Sequence, residues 1–182
     1  MIKYGLLSGL TFAMSIATSM ATAQSAHVHG EGHINIAIDS NRITVALESP
    51  GADIVGFEHE ARSSDEKAAI NQAIAKLRDP MLLMRFDADA ECEVQRASAE
   101  IEGEHEEEKY AEHDQHEGEE AHGAFVAEYE LECADLSALG FIEFTYFSQF
   151  SNAQSLDIVL IDGSGQRSEE IDRANPVLQL KK

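Results

Sequence analysis

Positive charge is scarce in this chain. Its 182 residues include 13 Lys and Arg against 34 Asp and Glu, which gives a formal net charge of −21 at pH 7 with neutral histidines. Proteins bind phosphate backbones and anionic membrane surfaces through Lys and Arg. The composition therefore disfavours nucleic acid and anionic lipid as partners, whereas a negative field attracts small cations.

Long apolar runs are also missing, apart from one near the start of the chain. The run from Gly5 to Ile16 follows Lys3 and precedes Ala21-Thr22-Ala23, which is the pattern of a secretory signal peptide. It is too short to cross a bilayer core of about 30 Å. We predict that residues 1–23 are a cleaved signal peptide. We also predict that residues 24–182 form one exported domain that is not embedded in a membrane.

Cysteine is rare, with Cys92 and Cys133 as the whole complement. An even number of cysteines in an exported protein favours a disulfide. Such a bond would close a long loop and stabilise the fold by about 4 kcal/mol. A cysteine-containing metal site is the alternative, and an oxidising compartment disfavours it.

Alternation of apolar and polar residues predicts a mostly β, α+β fold with antiparallel, sandwich-like sheets. Ile34 to Ile38 and Ile43 to Leu47 flank a turn at 39–42 and form a hairpin that Pro50-Gly51 ends. Ser63 and Glu66 form the capping box of one central amphipathic helix over 63–80. Further strands are predicted at 81–86, 91–97, 124–133, 141–147, 156–161 and 176–180, with a turn at 162–165.

Residues 100–122 interrupt the strand pattern. They include 11 acidic residues, one lysine and four histidines, with hardly any apolar side chains. Such a segment cannot bury enough surface to fold alone. We predict a long flexible insert between two paired strands, with the disulfide of Cys92 and Cys133 at its base. A solvated linker is the alternative, but His-rich tracts are typical of metal binding.

Three of the eight histidines, His27, His29 and His33, fall within seven residues. In an extended chain residues i and i+2 point to one face, so two imidazoles can converge on an ion at about 2.0–2.1 Å. His59 follows the hairpin between two glutamates, which can orient a histidine ligand or complete its ligand set. A structural or exposed histidine is the alternative for His59.

These spacings predict a site of His27, His29 and His59, with water, His33 or a carboxylate as the fourth ligand. The insert offers weaker, exchangeable ligands, namely His105, His113, His116 and His122. Imidazole with carboxylate favours zinc, copper or nickel. We take Zn²⁺ as the expected ion and keep other divalent transition metals open.

The segments "AHVHGEGHINIAI" and "GFEHEA" carry a family resemblance. With the signal peptide, the two cysteines and the His/acid-rich tract, they resemble the ZrgA-type periplasmic zinc-uptake proteins of Gram-negative bacteria over essentially the whole mature chain. The resemblance implies a periplasmic protein that binds zinc and serves an inner-membrane ABC importer. It implies structured ligands at His27, His29 and His59 and a His-rich region at His105, His113, His116 and His122. The tract here has few histidines and many glutamates, which leaves the number of ions bound by the insert open.

Other functions fit the sequence less well. A zinc or copper buffer or metallochaperone without an importer differs only in its partner. A copper-zinc superoxide dismutase-like enzyme would place histidines on later strands, but none follows His122. His59-Glu60 starts a false zinc-protease motif, because the fifth position is Ser63 rather than histidine. A plain structural domain leaves the histidine clusters unexplained. No nucleophile–base pair, phosphate loop or cofactor motif stands out, so we predict no catalysis.

Overall fold

The computed structural model describes residues 28–102 and 123–181. Most of the regular structure is β, as the sequence predicts. The predicted signal peptide, His27 and the four insert histidines, His105, His113, His116 and His122, lie outside the described residues. The signal peptide and the boundaries of the exported domain therefore stay predictions.

Nine strands, four α-helices and two short 3₁₀ helices, Ala88–Ala90 and Leu136–Ala138, make up the described elements. The strands are β1 (Glu31–Asp39), β2 (Arg42–Pro50), β3 (Met84–Phe86), β4 (Cys92–Ile101), β5 (Ala124–Cys133), β6 (Phe141–Phe144), β7 (Ser155–Asp162), β8 (Gly165–Asp172) and β9 (Val177–Gln179). The helices are α1 (Gly51–Ile54), α2 (Ser64–Leu77), α3 (Pro80–Leu83) and α4 (Tyr146–Gln149). Two sheets result, one of six strands in the order β4-β5-β2-β1-β7-β8 and one of three in the order β3-β6-β9.

One strand pair departs from the antiparallel arrangement that the sequence predicts. β1 and β7 run parallel, while the other pairs of both sheets are antiparallel. Alternation tells which side chains share a face, but it carries no information on which strand is the neighbour or on its direction. This parallel pair brings two distant polar segments of the chain together.

Two predicted strands begin or end as helices. In the segment 81–86, Pro80 starts the short helix α3, Asp79 caps it by accepting a hydrogen bond from the Leu82 backbone N–H, and the strand begins only at Met84. The segment 141–147 likewise ends in α4. Short apolar runs do not distinguish a strand from a buried helix by periodicity.

The strand β8 was not predicted from the sequence. This strand lies at the edge of the six-stranded sheet, and of its eight residues only Ile171 is buried. It therefore lacks the apolar alternation that marks a half-buried strand. The two-residue turn before it was predicted within 162–165, which agrees with the pairing of Asp162 and Gly165.

The core lies between the sheets and under α2. The predicted capping box is present, since Ser63 accepts from the Glu66 backbone N–H and Glu66 accepts from that of Ser63. Ala73 and Leu77 are buried. The Tyr129 hydroxyl donates to the Leu77 carbonyl at 2.6 Å, which ties the end of the helix to β5. Both sheets contribute to one hydrophobic cluster, from Ile34 to Leu178.

Cys92 and Cys133 form the predicted disulfide, but its predicted place at the base of the insert is wrong. β4 and β5 do pair as neighbours, with Cys92 opposite Cys133. The insert joins the other ends of these strands, at Ile101 and Ala124. Ten residues at about 3.3 Å each put the disulfide about 30 Å from the strand ends that lead into the insert. The predicted strand bounds, 91–97 and 124–133, already placed both cysteines at the outer ends of this strand pair.

Candidate metal site

The polar face of the six-stranded sheet carries a cluster of metal-ligand types. Along β1 the alternation buries Ile34 and Ile36 and leaves Glu31 and His33 on the opposite, partly exposed face. The parallel register pairs His33 with Asp157 of β7. The structure thus assembles Glu31, His33 and Asp157 with one ligand atom from each residue within 4.8 Å of the others. Among residues 28–102 and 123–181 no other such trio is present.

The strand register extends this cluster into an acidic row across the whole sheet. Residues paired successively through His33 share the polar face, and they carry carboxylates at four of six positions. The row is Glu100, Val126, Glu48, His33, Asp157 and Glu170. Carboxylates arranged around a single imidazole favour the approach of a cation.

The carboxyl groups around Glu31 disfavour its ionised form. The pKa of Glu31 is raised because its carboxyl group hydrogen-bonds with Asp157 and because the Asp157 charge repels its own; the Glu170 charge adds to the rise, and His33 opposes it. A hydrogen bond between two carboxyl groups needs a proton on one of them. A cation placed between the groups would take over the role of that proton.

The donor set fits a zinc ion. Zinc binds imidazole nitrogen and carboxylate oxygen at about 2.0–2.2 Å, so ligand atoms around one ion lie about 3.3 Å apart. His33 Nδ1 and Asp157 Oδ2 are 4.0 Å apart, and their side chains are 38% and 47% exposed. Because both side chains are partly exposed, they can rotate and bring these two atoms closer together by under about 1 Å, which tetrahedral zinc requires.

His29 lies just before β1 and faces a different group. The Glu31 backbone N–H donates to the Val28 carbonyl, and Gly30 adopts a φ of +91° that suits glycine, so the chain turns between residues 28 and 31. The turn places His29 Nε2 3.0 Å from Glu58 Oε2, with the imidazole 69% exposed. His29 Nε2 and Glu58 Oε2 are therefore two adjacent atoms of the types that bind metals.

A buried carboxylate group fixes this turn through a hydrogen bond. Asp53 of α1 is 2% exposed, and its Oδ1 accepts a hydrogen bond from the Gly30 backbone N–H at 2.7 Å. Burial raises the pKa of Asp53, whereas the Gly30 hydrogen bond and the neighbouring His29 lower it. Asp53, His29 and Glu58 thus interact at one end of the sheet.

His59 uses one ring nitrogen for a backbone contact. Its Nδ1 lies 3.0 Å from the Glu60 carbonyl, which can only accept, so Nδ1 is the donor and Nε2 is the nitrogen that could bind a metal. The ring stacks on Phe57, with centroids 4.9 Å apart. Nε2 is 3.8 Å from Glu66 Oε1. A structural role through stacking and a ligand role through Nε2 are compatible here.

The described histidines therefore divide into three contacts instead of one shared group: His33 with Glu31 and Asp157, His29 with Glu58, and His59 with Glu66. His27 lies outside the described residues, so the predicted trio of His27, His29 and His59 stays a prediction. So do the ligand roles of His105, His113, His116 and His122.

The insert joins the sheet close to these contacts. Glu102 donates its backbone N–H to the Ala124 carbonyl, and Gly51 donates to the Gly123 carbonyl at 3.0 Å. Gly51 has no room for a side chain, since an added Cβ would lie 2.6 Å from the Phe57 carbonyl. The Gly123 end of the insert thus meets the segment that carries Asp53 and Glu58, and the Glu102 end is bonded to Ala124 beside it.

Sequence reasoning missed Glu31 and Asp157. Glu31 had a signal, because it lies two residues before His33 and alternation puts both side chains on one face. Asp157 lies at a polar position of the predicted strand 156–161, but nothing local to either strand says that it faces His33. Only the β1–β7 pairing supplies that information.

Fold and site together define a mostly β protein with a candidate His/carboxylate metal site. Across the two described stretches, no helix has the length and apolarity needed to span a membrane. Residues 26–180 match the model of a family described as ZrgA family zinc uptake protein, and the chain belongs to this family. A search of curated proteins found no match. The family implies a transport role and zinc ions as the cargo.

Proposed function

We propose that this protein captures Zn²⁺ in the periplasm and supplies it to an inner-membrane ABC zinc importer. The observation that carries the zinc-binding part is the Glu31, His33 and Asp157 cluster in a chain of the zinc uptake family. The importer and the periplasmic location rest on the resemblance and on the predicted signal peptide, and the disulfide fits an oxidising compartment.

The other histidines take part in this proposal as further ligands. His29 beside Glu58, His59 beside Glu66 and His27, which precedes both in the sequence, offer imidazole donors, which bind zinc more tightly than carboxylates alone. The insert histidines, His105, His113, His116 and His122, would raise the local zinc concentration. The Gly123 carbonyl at one end of the insert accepts from the Gly51 N–H, so the insert joins the fold near the structured ligands.

Zinc calorimetry of the mature protein tests the binding step. We expect the tight phase to weaken at least about tenfold in His33→Ala and in Asp157→Asn, because each removes one ligand of three. Asn35→Ala is the matched control, since Asn35 lies on the same face of β1 two residues further on. An unchanged tight phase in both site variants would exclude this cluster as the structured site.

Two further variants separate the structured histidines from the insert. The triple variant His27→Ala/His29→Ala/His59→Ala tests the predicted trio, and a variant lacking residues 103–122 tests the insert. We expect the deletion to lower the number of bound ions while the tight phase survives. If deletion of the insert abolished the tight phase and the triple variant did not, the protein would bind zinc mainly through the insert.

Zinc uptake by cells tests the importer. Cells that lack this chain should accumulate less zinc from zinc-poor medium, and the wild-type gene should restore uptake while the Asp157→Asn gene should not. Normal uptake without the chain, with tight zinc binding intact in vitro, would favour a periplasmic buffer or metallochaperone instead.

A further inference from the structure

Asp53 is a buried ionisable group that zinc binding by the histidines does not itself require. It lies in the one-turn helix α1 and is 2% exposed. Oδ1 accepts from the Gly30 backbone N–H at 2.7 Å, while Oδ2 has no hydrogen-bond partner among the described residues. A buried carboxylate oxygen without a partner costs stability. The contribution of Asp53 to the fold is therefore the hydrogen bond that its Oδ1 accepts from the Gly30 N–H.

The Gly30 residue that Asp53 holds is a junction between β1 and β7. Its N–H is taken by Asp53, and its carbonyl accepts from the backbone N–H groups of Gln154 at 2.8 Å and Ser155 at 2.9 Å. The same helix α1 holds the neighbouring segment, because Asn152 donates its side-chain amide to the Ala52 carbonyl at 3.0 Å. One short helix thus fixes where both strands begin.

The candidate metal ligands on both strands lie one to three residues from this junction in the sequence. His29, Glu31 and His33 are on the β1 side, and Asp157 is two residues after Ser155. A displacement of Gly30 would turn His29 away from Glu58 and would slide Glu31 and His33 relative to Asp157. Groups that orient metal ligands affect metal affinity about as strongly as many ligands do.

We infer that Asp53 is the positioning residue of the zinc site: its carboxylate fixes the 28–31 turn and thereby sets both His29 against Glu58 and His33 against Asp157. This inference rests on the proposed zinc-binding function. It concerns geometry, not direct coordination. Asparagine keeps an Oδ1 acceptor for the Gly30 N–H and removes the charge, whereas alanine removes the acceptor.

The test is zinc affinity of the full mature chain, measured by competition with a chelating dye, for Asp53→Ala and Asp53→Asn. We expect Asp53→Ala to bind zinc about tenfold or more weakly and Asp53→Asn to stay within about threefold of the wild type. The visible absorption of Co²⁺ bound in place of zinc gives a readout of coordination geometry. It should change in Asp53→Ala and stay constant in Asp53→Asn.

Asp87→Ala is the matched stability control. Asp87 also accepts backbone hydrogen bonds, from Gly140 at 2.5 Å and Phe141 at 3.2 Å, but it does so beside the three-stranded sheet. We expect it to lower the melting temperature and leave zinc affinity and the Co²⁺ spectrum unchanged. Equal zinc loss in Asp87→Ala would show a general stability effect and overturn the inference.

Gly30→Ala keeps the inference testable if Asp53→Ala fails to fold. It leaves Asp53 intact and strains the same turn, because φ is +91° and the added Cβ would lie 3.3 Å from Gln154 Cγ. We expect weaker zinc binding here too. Wild-type affinity in Asp53→Ala or Gly30→Ala contradicts the inference alone. Impairment of Asp53→Asn equal to that of Asp53→Ala would show that charge, not position, matters and also overturns it. Absence of zinc binding by the wild type would instead remove the proposed function.

Discussion

At the scale of single residues, a few polar side chains hold backbone segments that no regular pairing satisfies. Arg173 is the strongest case, since its guanidinium lies over the Phe147 ring, 5.8 Å from the centroid, and donates to four carbonyls in the segment before β7. These carbonyls belong to Phe147, Phe150, Ser151 and Ala153. Arg173 therefore helps to fix the segment that leads into β7 and Asp157, together with the contacts of α1 and Gly30.

We expect Arg173→Lys to lower the free energy of unfolding by about 2–3 kcal/mol, because a lysine ammonium cannot reproduce the planar fork and leaves carbonyls without a charged donor. Urea unfolding followed by circular dichroism measures this. Arg85→Lys is the control, since Arg85 makes an exposed ion pair with Glu143 that is worth under about 1 kcal/mol. Equal losses in the two variants would contradict the role given to Arg173.

At the scale of elements, α2 shows how a local signal fixes a boundary. The capping box was readable in the sequence as Ser63 followed three residues later by Glu66, and it is present in the structure. Backbone N–H groups of Ser63 and then Arg62 donate to the Glu66 carboxylate and lower its pKa, and the Ser63 hydroxyl and His59 lower it further. The helix start is therefore linked to pH.

The linkage has a definite sign. A carboxyl group whose pKa is lower in the folded state contributes stability above its unfolded-state pKa, and this is lost as the pH falls through the folded-state pKa. We expect acid to weaken the wild type more than Glu66→Gln, which keeps an acceptor without the titration. Thermal unfolding from neutral to acidic pH measures it. Parallel pH profiles of the two proteins would exclude the linkage.

At the scale of the whole molecule, the disulfide and the candidate metal site lie at opposite ends of the six-stranded sheet. Cys92 and Cys133 face the turn of the β1–β2 hairpin, where the Cys133 N–H donates to the Asn41 carbonyl. Glu31, Asp53 and the two ends of the insert are at the other end. Stability from the disulfide and zinc binding should therefore vary independently.

We expect Cys92→Ala/Cys133→Ala to lower the free energy of unfolding by about 4 kcal/mol, from the loop closed by a sequence separation of 41 residues. Zinc affinity should stay within about threefold of the wild type under conditions where the variant is folded. Chemical unfolding and calorimetry measure the two quantities side by side. Joint loss of both would contradict the separation.

The sequence by itself determined the elements that rest on local chemistry. Alternation in Ile34 to Ile38 and Ile43 to Leu47 gave the first hairpin, the Ser63–Glu66 box gave the start of α2, and the cysteine count gave the disulfide. Histidine spacing marked His33 as a candidate ligand. Each of these depends on residues close in sequence or, for the disulfide, on an even number of cysteines.

Only the tertiary structure decided which residues of different strands face one another. Alternation places His33 on a face, but its partner Asp157 is 124 positions away and arrives through a parallel pairing that no local pattern encodes. The same holds for the contact of Asp53 with Gly30. The order of strands in a sheet depends on how much apolar surface whole faces of the molecule bury. The candidate metal cluster that this order creates therefore cannot be predicted from the sequence of either strand alone.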